Sequence, residues 1–109
     1  MEKHKIDISK DFNTTLGGRW IRLGPYSGEA FYNEKLKDAF EKARLDNEKL
    51  HIYLDGTKGY GSSFLDQSFG ELAREFGVDI VEKTLVFHTL FFEWDVKYIK
   101  EEIWSKKQS

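Results

Sequence analysis

The sequence predicts an α/β protein, a small mixed β-sheet with helices packed on it in the order β-β-α-β-α-β-α. Three observations carry this. Leu50-His51-Ile52-Tyr53-Leu54-Asp55 alternates apolar and polar residues, as a half-buried strand does. Tyr32, Leu36, Ala39, Phe40 and Ala43 recur at three- and four-residue spacing, and so do Leu65, Phe69, Leu72, Ala73 and Phe76, the stripe of an amphipathic helix. Strand-period and helix-period segments then take turns along the chain, which is the mark of the class.

Taken in order, Ile6 and Ile8 alternate with Asp7 and Ser9 as a short strand. Asn13-Thr14-Thr15-Leu16-Gly17-Gly18 is turn chemistry, and Arg19-Trp20-Ile21-Arg22-Leu23 resumes as a second strand able to pair with the first in a hairpin. Gly24-Pro25 stops it. Ser27 is placed to cap a helix, with Glu29 in the first turn where a negative charge suits the dipole, and that helix runs to about Leu45. Asp46-Asn47-Glu48 ends it. After the Leu50–Leu54 strand, Gly56, Gly59 and Gly61 punctuate a loop, and a second helix begins at Ser63 and stops at Gly77. Thr84 to Phe87 reads as another strand. Val96, Ile99, Ile103 and Trp104 line one face of a closing helix that starts near Trp94 or Asp95.

Right-handed crossovers would make the strands at Arg19, Leu50 and Thr84 parallel, so the loops leaving them emerge at one carboxyl edge. In open α/β sheets that edge is where ligands and partners meet the fold. The residues expected to line it are Ser27, Gly28, Lys58, Gly59, Tyr60, Gly61, Phe64 and His88. Two phosphoacceptor candidates, Ser63 and Ser62, lie on the same edge.

The bulk properties narrow the function. The chain has 109 residues, which fits one domain, residues 1–104, with Ser105-Lys106-Lys107-Gln108-Ser109 as a frayed tail. Nine Phe and three Trp make the expected core aromatic. A net charge of −2 with mixed signs gives no broad basic footprint, so no nucleic-acid partner is expected. The absence of cysteine removes disulfides, thiolate zinc sites and thiol catalysis. The N-terminus lacks an apolar signal segment, and the longest apolar run, Leu85 to Phe92, is broken by His88 and Thr89 and is too short for a bilayer. A cytoplasmic protein without membrane contact is the expectation.

Each motif has a structural and a functional reading. Ser63 and Asp66 have the spacing of a capping box, while a serine at a helix N-terminus is also a favourable place for a phosphoryl group. The glycine order matches neither a dinucleotide fingerprint nor a Walker loop, so turning the chain at positive φ is the simpler role for these glycines. Serine hydrolysis needs a base nearby. His51 lies about four residues before the strand's carboxyl end, roughly 13 Å at strand rise, which leaves only His88 with Asp55. There is no nucleophile elbow. The three histidines show no metal-ligand spacing, so no metal and no cofactor are expected. Phe91-Phe92 falls in an edge loop, where an exposed aromatic pair would suit a protein partner, although core packing is the commoner use of such residues.

Gly17-Gly18-Arg19 with Gly24-Pro25-Tyr26-Ser27-Gly28-Glu29-Ala30-Phe31, followed by Gly59-Tyr60-Gly61-Ser62-Ser63-Phe64-Leu65 and Phe69-Gly70-Glu71-Leu72, resembles a bacterial STAS-like family of unknown function. The likeness spans Gly17 to Gly77. That family is in turn similar to STAS domains, the anti-sigma-factor antagonists and their relatives in stressosomes and anion transporters. The resemblance implies a non-enzymatic signalling module for protein–protein interaction, switched by serine phosphorylation, with a GHKL-type ATP-binding serine kinase or anti-sigma-like regulator as partner. The antagonists carry Asp-Ser-Ser-Gly-Leu where this chain has Gly61-Ser62-Ser63-Phe64-Leu65, which puts Ser63 on the acceptor. Gly61 replaces their Asp and Phe64 their Gly. The alternative is a small-anion or nucleotide sensor, with the helix starts at Ser27 and Ser63 converging on an anion and Lys58 and Arg22 assisting.

Overall fold

A computed structural model describes residues 2–105. The last four residues of the expected tail lie outside that range. Three strands form one sheet in the order β1-β2-β3: β1 (Lys5–Asp7), β2 (Leu50–Tyr53) and β3 (Leu85–His88). Both pairings are parallel, with Ile6 opposite Ile52, Leu50 opposite Leu85 and Tyr53 opposite His88. The helices are α1 (Ile8–Asp11), α2 (residues 28–45), α3 (residues 62–76), α4 (Val78–Thr84) and α5 (residues 93–103). Each long helix contains one π-helical stretch, Tyr32–Leu36 in α2, Asp66–Gly70 in α3 and Ile99–Ile103 in α5. No helix among the described residues is long and apolar enough to cross a membrane.

The α/β class holds, but the expected second strand does not form. Ile21–Leu23 makes a single 3₁₀ turn instead, and no hairpin precedes α2. The reason lies in where the backbone hydrogen bonds go. The carbonyls of Gly18 and Arg19 accept from the N–H groups of Gly28 and Glu29, and Ile21 N–H donates to the Glu29 carboxylate. The segment thus satisfies the orphan donors at the start of α2 rather than a ladder. Trp20, Ile21 and Leu23 consequently stay in solvent. The sheet is therefore wholly parallel, and β1 occupies the place expected for the Arg19 strand.

Most other expectations are met with small shifts. Ser27 caps α2, its hydroxyl accepting from Ala30 N–H at 3.0 Å. Asn47, at φ 57°, turns the chain out of the helix. Gly77 stops α3 at φ 100°. It then leads directly into α4, a helix the pattern does not announce because Val78, Ile80 and Val81 read as easily as a strand. The last strand is one residue later than expected.

The core lies on one side of the sheet. Ile6, Leu50, Ile52, Leu54 and Leu85 point into it and meet Phe31, Leu36 and Phe40 from α2, Phe64, Phe69 and Leu72 from α3, and Ile99 of α5 with Trp104 beyond its end. The rings interlock. Phe31 stacks on Phe64 at 5.7 Å and meets Phe69 at 6.0 Å, and Phe69 meets Phe87 edge-on at 5.3 Å. Trp104 donates its indole N–H to the Phe69 carbonyl at 3.0 Å, which satisfies the one polar atom it buries. The strand residues that alternate with the buried ones, Asp7, His51, Tyr53, Val86 and His88, are half-buried on the opposite face.

Candidate functional site

The parallel sheet sends three loops to its carboxyl edge, after Asp7, Tyr53 and His88. Asp55, just past β2, binds two of them together. Its carboxylate accepts from the Thr89 hydroxyl at 2.5 Å, from Leu90 N–H at 2.7 Å and from Phe91 N–H at 3.3 Å. Phe92 N–H closes the turn on the Thr89 hydroxyl at 2.8 Å. Partial burial works against the Asp55 charge, but these donors outweigh it and hold the carboxyl below its usual range. The outcome is a braced turn that throws two large side chains outward, Leu90 at 80% and Phe91 at 77% exposure. Of the expected aromatic pair, Phe91 is thus exposed, whereas Phe92 packs against the core. Trp94, in the first turn of α5, is also exposed, with the Lys97 ammonium 5.2 Å from its ring.

Tyr60 supports the middle loop from beneath. Its hydroxyl donates to the Leu54 carbonyl at 2.7 Å, and its ring meets Phe92 edge-on at 5.1 Å and Phe64 at 6.1 Å. Lys58 is exposed, while its backbone N–H is held by the Thr14 carbonyl. Gly56 and Gly59 adopt positive φ, as turning glycines do. At Gly56 a side chain is also excluded by space, because a Cβ there would lie 2.5 Å from the Ser9 hydroxyl.

The serines differ from their expected roles. Gly61, not Ser63, is the N-cap of α3, and the helix begins one residue early, at Ser62. Ser62 is exposed and Ser63 half-buried in the first turn. The capping box does not form, because Asp66 is engaged elsewhere. Arg19 reaches it at 2.6 Å and Arg74 at 3.2 Å. Burial opposes ionisation of Asp66, but the two guanidinium groups prevail and lower its pKa. Arg19 also contacts Gln67 at 3.4 Å. It therefore stands over the positions three and four residues after Ser63, which on a helix surface are Ser63's neighbours.

Other expected edge residues face inward. Ser27 and Gly28 are buried, and Phe64 is fully so. The starts of α2 and α3 do converge, but they do so by contact. A Cβ on Gly28 would sit 2.6 Å from the Phe64 carbonyl oxygen, so backbone fills the place proposed for an anion. Arg22 is exposed in the 3₁₀ turn.

His88 turns away from the serines. On the face of the sheet opposite the helices, its Nε2 lies 2.8 Å from His51 Nδ1, and its ring stacks on Tyr53 at 4.4 Å with 9° between planes. Tyr53 donates its hydroxyl to the Glu2 carboxylate, which lowers the Glu2 pKa and raises that of the phenol. With His88 paired to His51 and Asp55 committed to the turn, neither of the two groups expected to act as a base is directed at Ser62 or Ser63. The cluster itself was not visible in the sequence, because its members come from the N-terminus and two strands distant along the chain. The only available signal was the alternation of β2, which puts His51 and Tyr53 on one face.

The three parallel strands, the helices gathered on one face and the serines in the helix turn that follows the central strand define a STAS-like α/β domain. Residues 27–90 match the family described as a STAS-like domain of unknown function (DUF4325), and the chain belongs to that family. No match to the chain was found among curated proteins or solved structures.

Proposed function

We propose that this protein is a non-enzymatic regulatory module that docks a partner protein at the carboxyl edge of its sheet and is switched by phosphorylation at the start of α3. One observation carries the docking reading, the Asp55-braced turn that holds Leu90 and Phe91 in solvent. Large apolar side chains fixed outward cost solvation in the free protein and lose little further entropy on binding, which is how anchor residues behave. The partner that the family resemblance suggests is a GHKL-type ATP-binding serine kinase.

Ser63 is the proposed acceptor, with Ser62 beside it. A phosphoryl group there would meet the free N–H groups of the first turn of α3, where the helix dipole favours negative charge. Arg19 supports this role, since its guanidinium could move from Asp66 to a phosphate one turn away. The modification would add roughly −1.5 to −2 of charge to the edge that carries the apolar anchor and so alter what docks there.

Incubation with a GHKL-type kinase from the same genome and ATP, followed by peptide mass spectrometry, tests the switch. Phosphate on Ser63 is expected, and its absence from both serines removes the switch. Titration calorimetry of the same kinase against Leu90→Ser/Phe91→Ser tests the docking separately. An affinity loss of a hundredfold or more is expected for anchor residues, and unchanged affinity removes the docking edge.

A further inference from the structure

The open face of the sheet carries a second constellation, independent of the docking edge. Glu2 Oε2 lies 3.6 Å from His51 Nδ1 and 3.8 Å from His88 Nε2, and the two imidazole nitrogens are 2.8 Å apart. We propose that Glu2, His51 and His88 form a divalent zinc site with two imidazole ligands, one carboxylate ligand and a fourth position open to water. These three donor atoms form a compact triangle with all separations under 4.8 Å. A point equidistant from them lies about 2 Å from each, the length of Zn–N and Zn–O bonds.

The sheet builds this triangle through its register. His51 and Tyr53 share a face because they are two residues apart on β2, and His88 stands directly opposite Tyr53 on β3. Stacking on Tyr53 fixes the plane of the His88 ring and turns Nε2 toward His51. The Tyr53 hydroxyl reaches both oxygens of the Glu2 carboxylate, the kind of outer contact that orients metal-binding carboxylates. The two imidazoles facing each other can share only one proton, so a cation between them would satisfy both lone pairs at once.

Donor chemistry selects the metal class. Two neutral imidazoles and a carboxylate suit zinc, whereas calcium and magnesium prefer shells made of oxygen. The site is half-exposed rather than sealed, and a hollow of about 520 Å³ bounded by Asp7, Tyr53, Asp55 and His88 adjoins it. Three protein ligands beside an accessible hollow describe an open rather than a closed zinc site. Bound zinc would tie the segment before β1 to β3 across the central strand.

The test uses the full chain, free of any polyhistidine tag, stripped with a chelator and titrated with zinc chloride by calorimetry. One zinc per chain is expected, with a rise of the melting midpoint on the order of 10 °C at a hundredfold excess over Kd. Magnesium and calcium should give neither response. Glu2→Gln, His51→Gln and His88→Gln should each lower zinc affinity tenfold or more, and Tyr53→Phe about tenfold through loss of the outer contact. His4→Gln should bind as the parent does, because His4 pairs with Asp46 outside the cluster. Each variant is melted without metal, so lost binding is counted only where the fold is retained. X-ray absorption of the zinc-loaded protein should show two imidazole shells at about 2.0–2.1 Å. Absence of one-to-one binding, or binding that survives in a folded His51→Gln/His88→Gln protein, overturns the proposal.

Discussion

The two faces of one three-stranded sheet behave as different materials. On the covered face, Leu50, Ile52, Leu54 and Leu85 are sealed under aromatic side chains, among them Phe31, Phe64, Phe69, Phe87 and Trp104, whose rings interlock from α2 through α3 and β3 to the end of α5. On the open face, His51, Tyr53 and His88 are half-exposed, titratable and bonded mainly to one another and to Glu2. Parallel sheets are usually covered on both sides. Leaving one side bare frees its residues from the demands of packing, while the other side carries stability. The carboxyl-edge loops sit between these regimes, rigid underneath through Tyr60 and apolar on the outside at Leu90 and Phe91.

Substitutions should separate these regions by size of effect. Phe69→Ala removes a fully buried ring that touches Phe31 and Phe87, and should cost about 3–5 kcal/mol in chemical denaturation. Gly28→Ala drives a methyl group against the Phe64 carbonyl, so α2 and α3 must separate, at a cost of about 1–3 kcal/mol. A neutral result there would mean that the helix starts are less tightly joined than the covered face requires.

Asp55→Ala deletes the acceptor for three donors and should cost about 1–2 kcal/mol. Its clearest signature would be local, with faster amide exchange at Leu90 and Phe91. Asp55 also gives the edge a pH dependence. Its folded pKa is lowered, so at acid pH the unfolded chain takes up the proton first. Its contribution to stability is complete above the unfolded value of about 3.9 and is lost as pH falls through the lower folded value. Denaturation midpoints measured from pH 6 downward should therefore fall below about pH 4, and less steeply in Asp55→Ala.

The smallest effects belong to the exposed positions. Leu90→Ser with Phe91→Ser should leave the stability of the free protein within about 0.5 kcal/mol, and metal-free His51→Gln should cost less than about 1 kcal/mol. A large loss from either would erase the contrast between the faces.

Much of the scaffold could be read from periodicity. Alternation marked β2, three- and four-residue spacing marked α2 and α3, and Ser27 and Gly77 marked their ends, because these signals depend on local backbone geometry. The same logic failed at Arg19–Leu23, whose alternating pattern is real but whose hydrogen bonds are claimed by the start of α2. It failed again at Ser63, because Arg19, 44 positions earlier in the chain, occupies the carboxylate expected to complete the cap.

The sequence by itself determined the fold class, the aromatic core and the edge on which the serines sit, since each follows from patterns a few residues long. Only the tertiary structure decided that the sheet is wholly parallel, that Leu90 and Phe91 are held outward, and that Glu2, His51 and His88 meet. These depend on strand register and on partners far apart in the chain, from 35 positions for Asp55 and Leu90 to the whole span between Glu2 and His88. A chain encodes them through the summed packing of its core, with no local motif.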